Sequence, residues 1–414
     1  MTSAPQNHGQ PFDRPAADAP SSAILAARKA AARRTRRIIM NNDGNDLNRV
    51  APDQTVTPDL FLNARTTTLA GSQVDAIFYC TGVFNHYTHR SPIAELLDSE
   101  QSAARRVHEL IPLGTDSLET IVRFCHENDM EAFWSMRMND THDASPSAAF
   151  LMTRWKRQHP DWLVGKPDGA YPYACGRWSA LDYGIPAVRE QTYALLADVA
   201  ARYDVDGLEL DFFRHPVLFR QQLTGEPVTA EHRAMMTDLI RRIRTMADEV
   251  AEARGRPLLL AMRGFDSVGF SNALGIDLER WLGEGLIDLF AAGDYFKFEP
   301  WENLAALGRR YEVPVYAGFA SRRITGGGRP EAASELKIWR GEALAAWRAG
   351  VAGIYTFNRF DPNDPIFREL GDPERLATLP RKDQETFVAP IWSRPERWLK
   401  DGDRFVRGKP CDRR

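Results

Sequence analysis

Eight apolar, strand-like runs recur along the chain, and amphipathic helical patterns fill most of the gaps between them. Strands that alternate with helices favour parallel βαβ units with right-handed crossovers. Eight such units in one series predict a closed (β/α)8 TIM barrel rather than an open sheet, and no glycine-rich nucleotide loop follows the first run. The predicted strands cover residues 37–43, 75–82, 131–140, 206–215, 257–264, 287–295, 314–320 and 351–360.

The order of these patterns also predicts the domain organisation. We expect a single barrel domain over residues 37–360, with a long loop of about 45 residues after the third strand. Residues 1–36, rich in Ala, Pro, Ser and then Arg, predict a flexible or helical tail. Residues 361–414 predict an extension that packs on the barrel. Helical patterns begin at Asp116 and cover residues 186–203, 230–253, 277–286 and 331–349.

The composition narrows the class of partner. A hydrophobic fraction of 43%, a charged fraction of 26% and a net charge of -3 are ordinary for a globular protein, and they indicate neither a nucleic acid nor a membrane partner. The four cysteines show no CxxC spacing, which argues against a zinc ribbon or a disulfide framework. The arginine run at residues 33–37 lacks the apolar core of an export signal, so we expect a cytoplasmic protein, or a periplasmic one if the N-terminus is processed.

The fourth predicted strand carries two carboxyl groups on one face. Leu208, Leu210 and Phe212 alternate there with Glu209 and Asp211, and successive side chains of a strand point to opposite faces. Carboxyl groups are rarely buried unless they are paired or used. A strand that directs two of them into a common interior is therefore a candidate for acid–base chemistry.

Polar side chains also follow most of the other strands. In a (β/α)8 barrel the catalytic groups lie at the C-terminal ends of the strands. Asp211 is nearest the mouth and is our first choice for direct chemistry, with Glu209 as its neighbour or as a partner of Arg137. A second catalytic carboxylate comes from Asp140, Asp143 or Asp294, and the pattern does not choose among them. The predicted substrate contacts are Asn42, Asp43, Arg137, Asn139, His142, Asp143, Trp178, Arg214, His215, Arg263, Tyr295 and Asn358.

This set of side chains suits a sugar. Glycoside cleavage needs two carboxyl groups, one protonated and one ionised, while arginines, amides and aromatic rings can bind hydroxyls and sugar faces. Arg137, Arg214 and Arg263 further indicate an acidic or sulfated sugar, because a guanidinium pairs bidentately with such anions. We expect an oligosaccharide or glycoside substrate and no cofactor.

Two motifs resemble a known family. DGLELDF at residues 206–212 and RMNDTHD at residues 137–143, followed by HPDW at residues 159–162, are similar to the bacterial barrels called family 10 glycosylhydrolase-like. The resemblance covers roughly residues 37–360 and implies a (β/α)8 barrel with carbohydrate activity. The chain departs from related glycosidases at Phe213, where chitinase-like barrels carry an acid, and at the end of the seventh strand, where residues 317–320 offer no carboxylate.

Two other functions remain open at this stage. Asp140, His142, Asp143 and Glu209 are residue types that bind divalent ions, which would make the protein a metal-assisted lyase, isomerase or hydrolase. The third hypothesis is a barrel that binds carbohydrate without cleaving it.

Overall fold

The barrel predicted from the sequence is confirmed. A computed structural model of the chain describes residues 20–97, 103–320, 332–382 and 394–406, and its eight parallel strands close into a ring in the order β1-β8-β7-β6-β5-β4-β3-β2. Each strand lies within a predicted run or within one residue of it. The strands are β1 Ile38–Asn42, β2 Val74–Tyr79, β3 Glu131–Arg137, β4 Gly207–Asp211, β5 Leu259–Gly264, β6 Leu289–Ala292, β7 Val315–Ala320 and β8 Gly353–Phe357.

Helices surround the ring. The α-helices are α1 Ser22–Ala32, α2 Pro58–Arg65, α3 Ser117–Glu127, α4 Arg154–Gln158, α5 Pro186–Arg202, α6 Gln221–Thr224, α7 Ala230–Arg254, α8 Val268–Leu274, α9 Leu278–Gly283, α10 Trp301–Tyr311, α11 Ala332–Ala349, α12 Ile366–Glu369 and α13 Pro373–Thr378. Helices α3, α5, α7, α9 and α11 match the helical patterns of the sequence, whereas α10 was not predicted. Asp116 caps α3 by accepting from the backbone N–H groups of Leu118 and Glu119.

Smaller elements lie in the connections between these strands and helices and in the C-terminal segment. The two-residue strands Gly82–Val83, His86–Tyr87 and Glu95–Leu96 form a separate sheet. The 3-10 helices are Asp46–Arg49, Thr67–Leu69, Ala103–Leu113, His142–Ala144, Pro146–Leu151, Pro160–Trp162, Ala174–Gly176, Pro395–Arg397 and Gly402–Phe405. Within the part of the chain that the structure describes, no helix is both long and apolar enough to cross a bilayer.

The alternation of side chains along β4 follows the sequence pattern. Leu208 and Leu210 belong to the core between the strands and the helices, while Glu209 and Asp211 are buried inside the ring, with exposures of 0% and 2%. The strand register places Glu209 beside Ser135 of β3. One level nearer the mouth, Asp211 lies between Arg137 of β3 and Arg263 of β5. The ring therefore presents two successive polar levels to its interior.

A buried ion pair closes the opposite end of the barrel. Arg36 precedes β1 and Glu131 begins β3, and the Arg36 Nε and Nη2 atoms donate to the Glu131 carboxylate at 2.5 and 2.8 Å. The same guanidinium donates to the carbonyl oxygens of Ala31 and Ala32 at the end of α1. Since these bonds join α1, β1 and β3, they anchor the helix to the bottom of the ring.

We expect Glu131→Gln to lower the free energy of unfolding by about 3 kcal/mol, because it leaves the buried Arg36 guanidinium without its counter-charge. Urea-induced unfolding measures the loss. The matched control is Glu190→Gln, which removes an exposed pair with Arg242 and should cost less than about 1 kcal/mol. Equal small losses for both variants would show that the Arg36 pair does not hold the barrel base.

Candidate functional site

A cavity of about 340 Å³ opens at the C-terminal ends of the strands. Its volume lies at the lower end of the range of small-molecule sites. Among the described residues its lining carries two arginines, two histidines, one amide and five aromatic or apolar side chains, and it contains no Asp or Glu. The lining residues are His142, Arg177, Phe213, Arg214, His215, Pro216, Tyr295, Phe296, Asn358 and Trp398. We refer to this space as the mouth cavity.

The Asp140–His142 pair forms one wall of the mouth cavity. His142 Nδ1 lies 2.8 Å from Asp140 Oδ1, and Arg137 Nη1 donates to Asp140 Oδ2 at 2.7 Å. Burial alone would raise the pKa of Asp140, but His142 and Arg137 hold it well below its usual range. Asp140 is therefore an ionised group that orients the imidazole from behind, and the ring itself reaches the cavity.

Arg214 connects this pair to the fourth strand. Its Nη2 atom lies 3.1 Å from His142 Nε2, and its backbone N–H donates to Asp211 Oδ1 at 3.1 Å. With Nδ1 bonded to Asp140, the free lone pair of Nε2 accepts from the guanidinium. Arg214 also donates to the Tyr295 hydroxyl. The side chains that end β3, β4 and β6 are thus tied together at one arginine.

A second carboxylate, Asp43, lies beside the same arginines. It accepts from Arg137 Nη2, and one of its oxygens is 3.7 Å from Arg214 Nη2. Burial would raise the pKa of Asp43, yet Arg137 and Arg214 lower it. A single guanidinium, that of Arg137, therefore joins Asp43 to Asp140 behind the cavity wall.

Beneath the mouth cavity, Arg263 joins another pair of carboxylates. Its Nη1 atom donates to Asp211 Oδ2 at 2.8 Å and its Nε atom to Asp294 Oδ2 at 2.6 Å. The Arg263 side chain is 0% exposed, and its Cζ atom lies 3.8 Å from the centre of the Phe357 ring. Burial lowers the pKa of Arg263, but Asp211 and Asp294 raise it well above its usual value. The arginine therefore stays charged in a water-excluded place.

Glu209 lies one level deeper. Its Oε2 atom accepts from Ser135 Oγ and, at 3.3 Å, from Asn41 Nδ2. Burial and the nearby Asp211 carboxylate raise the pKa of Glu209 to about 8. Glu209 is consequently protonated at neutral pH. The expected pairing of Glu209 with Arg137 is wrong, because Arg137 is already held by two aspartates closer to the mouth.

The structure places Asn42 away from the mouth. Its Nδ2 atom donates to Asp46 Oδ1 at 2.7 Å, and its Oδ1 atom accepts from the backbone of Gly44. Asn41 points inward, so its neighbour on the strand must point outward. The prediction that Asn42 contacts substrate is corrected for this reason.

Asn139 and Asp143 hold the long loop that follows β3. Asn139 Nδ2 donates to the carbonyl oxygens of Leu181 and Val217 at 2.9 and 2.6 Å. Asp143 accepts from Lys156 Nζ at 2.8 Å and from Ser179. Both side chains therefore bond to other parts of the protein. Neither of these two predicted contacts lines the mouth cavity.

Trp178 is another predicted contact that does not line the mouth cavity, because it packs against the main core. Five lining residues were not among the predicted contacts: Arg177, Phe213, Pro216, Phe296 and Trp398. Arg177 precedes Trp178 in the long loop that follows β3. Trp398 belongs to the C-terminal segment, and its carbonyl oxygen accepts from the backbone N–H of Ala174 in the same loop. The aromatic composition of both segments was a signal, although it did not indicate which rings face the cavity.

Of the four candidate metal ligands, Asp140, His142, Asp143 and Glu209, the structure brings only the first two into one cluster. Ligand atoms of Asp140, His142 and His215 lie within 4.8 Å of one another, and this cluster of described residues includes neither Asp143 nor Glu209. His215 Nδ1 accepts from the backbone N–H of Thr141, and the guanidinium of Arg137 already neutralises Asp140. A cation at this position would meet positive charge rather than a free carboxylate, so the residues fit a metal poorly.

Residues 64–228 match the family described as Glycosyl hydrolase-like 10. The matched segment contains both motifs, β2 to β4, and the Asp140–His142 pair. The match confirms, over these residues, the resemblance that the two motifs indicated.

One of the solved structures that match this chain shows the same fold. The glycoside hydrolase domain of PgaB (BpsB) from Bordetella bronchiseptica matches with a TM-score of 0.50 and 11% identity over 82% of this chain and 98% of that domain. An α-L-fucosidase isoenzyme 2 from Paenibacillus thiaminolyticus gives a TM-score of 0.48 and 13% identity over 83% of this chain. The barrel spans 49% of the fucosidase. No curated protein sequence matches the chain. At 11% identity, the likeness to the Bordetella domain shows the fold alone.

The raised pKa of Glu209 predicts how stability changes with pH. Between its ordinary value of 4.5 and about 8, the folded protein binds a proton at Glu209 that the unfolded chain releases. The stability contributed by this group is therefore complete below about pH 4.5 and is lost as the pH rises towards 8. We expect Glu209→Gln to reduce this fall in the free energy of unfolding between pH 5 and 9.

Urea unfolding at several pH values measures the effect. The control is Glu190→Gln, because Arg242 lowers the pKa of Glu190 and its contribution changes only in acid. If wild type and Glu209→Gln lost the same stability between pH 5 and 9, the protonated state of Glu209 would be refuted.

Proposed function

We propose that this protein is a glycoside hydrolase that binds one sugar unit in the mouth cavity and cleaves its glycosidic bond. In this proposal the His142–Asp140 pair transfers the proton, and Asp211 contributes its negative charge from behind the cavity lining without touching the sugar. The observation that carries the proposal is the position of Arg214, which bonds to His142 through its guanidinium and to Asp211 through its backbone. His142 and Asp211 are thereby held at the same end of two adjacent strands, β3 and β4.

The division of roles follows from the surroundings of each group. When the sugar binds, His142 Nε2 would exchange its bond from Arg214 for a proton from solvent. It would then donate this proton to the glycosidic oxygen as the C–O bond breaks, and Asp140 would balance the charge on the imidazole ring. The Asp211 carboxylate would stabilise the positive charge that develops on the anomeric carbon. Water then adds its oxygen to that carbon, and its proton returns to His142.

The surface of the mouth cavity supports a sugar as the ligand. Trp398 and Phe296 provide apolar ring faces, and Asn358 together with Arg177 provides donors for hydroxyl groups. A sugar seated there would lie over Phe213 and Arg214, whose backbone N–H groups bind Asp211 at 2.9 and 3.1 Å. Phe213 and Arg214 thus separate the buried Asp211 carboxylate from the cavity, and this carboxylate holds their backbone in position.

One observation favours a second function, carbohydrate binding without cleavage. The two carboxylates used in the proposal are each bound to a guanidinium. Asp140 binds Arg137, and Asp211 binds Arg263. No protonated carboxylic acid lines the cavity among the described residues, so the proton donor would have to be an imidazole. A binding barrel needs no such donor.

We expect Asp211→Asn to lower kcat at least about a hundredfold and Asp140→Asn about tenfold to a hundredfold, because each removes a charge needed in the transition state. Release of reducing ends from a panel of oligosaccharides measures the rate. Thermal unfolding of each variant shows whether the fold is kept.

Asp46→Asn is the matched control, since Asp46 is a buried aspartate at the same end of the barrel that bonds to Asn42 and Tyr79 outside the ring. Its kcat should remain within about twofold of wild type. Full activity of Asp211→Asn would overturn the assignment of the carboxylate. Sugar binding by wild type that is unchanged in Asp211→Asn, with no turnover on any substrate, would establish the binding barrel instead.

A further inference from the structure

The mouth cavity presents positive charge without negative charge. Its lining includes Arg177 and Arg214 together with two histidines, and the described lining residues include no carboxylate. Asp43 and Asp140 lie behind the wall, where Arg137 binds both. A ligand in the cavity therefore meets guanidinium groups first and carboxylates only through them.

The two lining arginines are close enough to influence each other. Arg177 donates from Nη1 to the carbonyl oxygen of Thr141 at 3.1 Å, which brings it to the loop that carries His142. Burial lowers the pKa of Arg177, Cys175 and Asp140 raise it, and the charge of Arg214 lowers it. Like charges near one another in a partly dry site repel, and an anion between them would relieve that repulsion.

The arginines of the deeper levels do not line the cavity. Arg137 and Arg263 each bind two aspartates within the ring, whereas Arg214 lines the cavity with an Asp43 oxygen 3.7 Å from its Nη2 atom. Of the three arginines that the sequence connected to an acidic sugar, only Arg214 lines the cavity, and Arg177 is the second cation there. The selectivity of the cavity thus depends on a loop residue and a strand-end residue.

We propose that the mouth cavity selects a sugar unit that carries a negative charge, a carboxylate or a sulfate, and that Arg177 with Arg214 binds this group. The inference rests on the proposed function, since it assigns the substrate class of the same cavity. The anion would accept hydrogen bonds from both guanidinium groups while the ring packs on the aromatic side of the cavity. Arg177 is then a specificity-determining residue that takes no part in proton transfer.

Binding of matched sugar pairs tests the proposal. The probes are the methyl glycosides of glucose, galactose and mannose, each compared with its uronic acid and with its 6-sulfate, titrated by calorimetry into the full chain. We expect at least one charged sugar to bind about tenfold or more tightly than its neutral partner in low salt. The preference should shrink at high salt, because ions screen the attraction.

Variants at Arg177 separate charge from structure. Arg177→Gln should abolish the preference for the charged sugar, and Arg177→Lys should keep part of it, whatever each change does to the affinity for the neutral sugar. The control is Arg242→Gln, a surface arginine that pairs with Glu190, which should not change the preference. Thermal unfolding confirms that each variant is folded.

The outcomes distinguish this inference from the proposed function. Equal affinity for neutral and charged sugars, or a preference that survives Arg177→Gln, would overturn the anion site and leave a sugar-cleaving barrel. Failure of every sugar of the panel to bind would count against both. Tighter binding of the uronic acid alone, or of the sulfate alone, supports the inference and identifies the anion.

Discussion

The guanidinium of Arg263 is the group on which the arrangement of this barrel depends. It lies at the centre of the ring with no access to water and is held between Asp211 of β4 and Asp294 after β6. A charge in such a place is tolerated only when its counter-charges are in contact with it, since the cost of removing it from water is several kcal/mol. Three neighbouring strands are therefore locked in one register by a single side chain.

The pairing of buried charges also explains why cations and aromatic rings, and no described carboxylate, line the mouth cavity. Arg137 binds Asp43 and Asp140, just as Arg263 binds Asp211 and Asp294. Both pairs of aspartates therefore contact an arginine behind the lining of the mouth cavity. What remains for the cavity is a histidine oriented by a carboxylate, two arginines and a set of aromatic rings. The acids of this barrel therefore bind positioned cations and backbone N–H groups, and none of them is among the described residues that line the cavity.

Much of the fold could be predicted because its signals are local. The period-two pattern of β4 placed Glu209 and Asp211 inside the ring. The rule also explains the error at Asn42, because a strand end was treated as facing the mouth without regard to its side. The helix at Trp301–Tyr311 was overlooked between two strongly apolar strands.

The site was harder to predict than the ring for a physical reason. Which arginine neutralises which aspartate depends on distances between strands, and these are not encoded in the spacing along one strand. Arg177 and Trp398 reach the mouth from a long loop and from the C-terminal segment, where no periodicity indicates the direction of a side chain. The resemblance to the family identified the motifs but did not locate the cavity.

A crystal structure of the Asp211→Asn variant with a bound oligosaccharide tests the central claim most directly. The account predicts a sugar in the mouth cavity, with its glycosidic oxygen within hydrogen-bond distance of His142 Nε2 and the substituted side chain at position 211 beneath the same sugar ring. An oligosaccharide bound elsewhere, such as the surface groove beside Arg90 and Arg202, would contradict it.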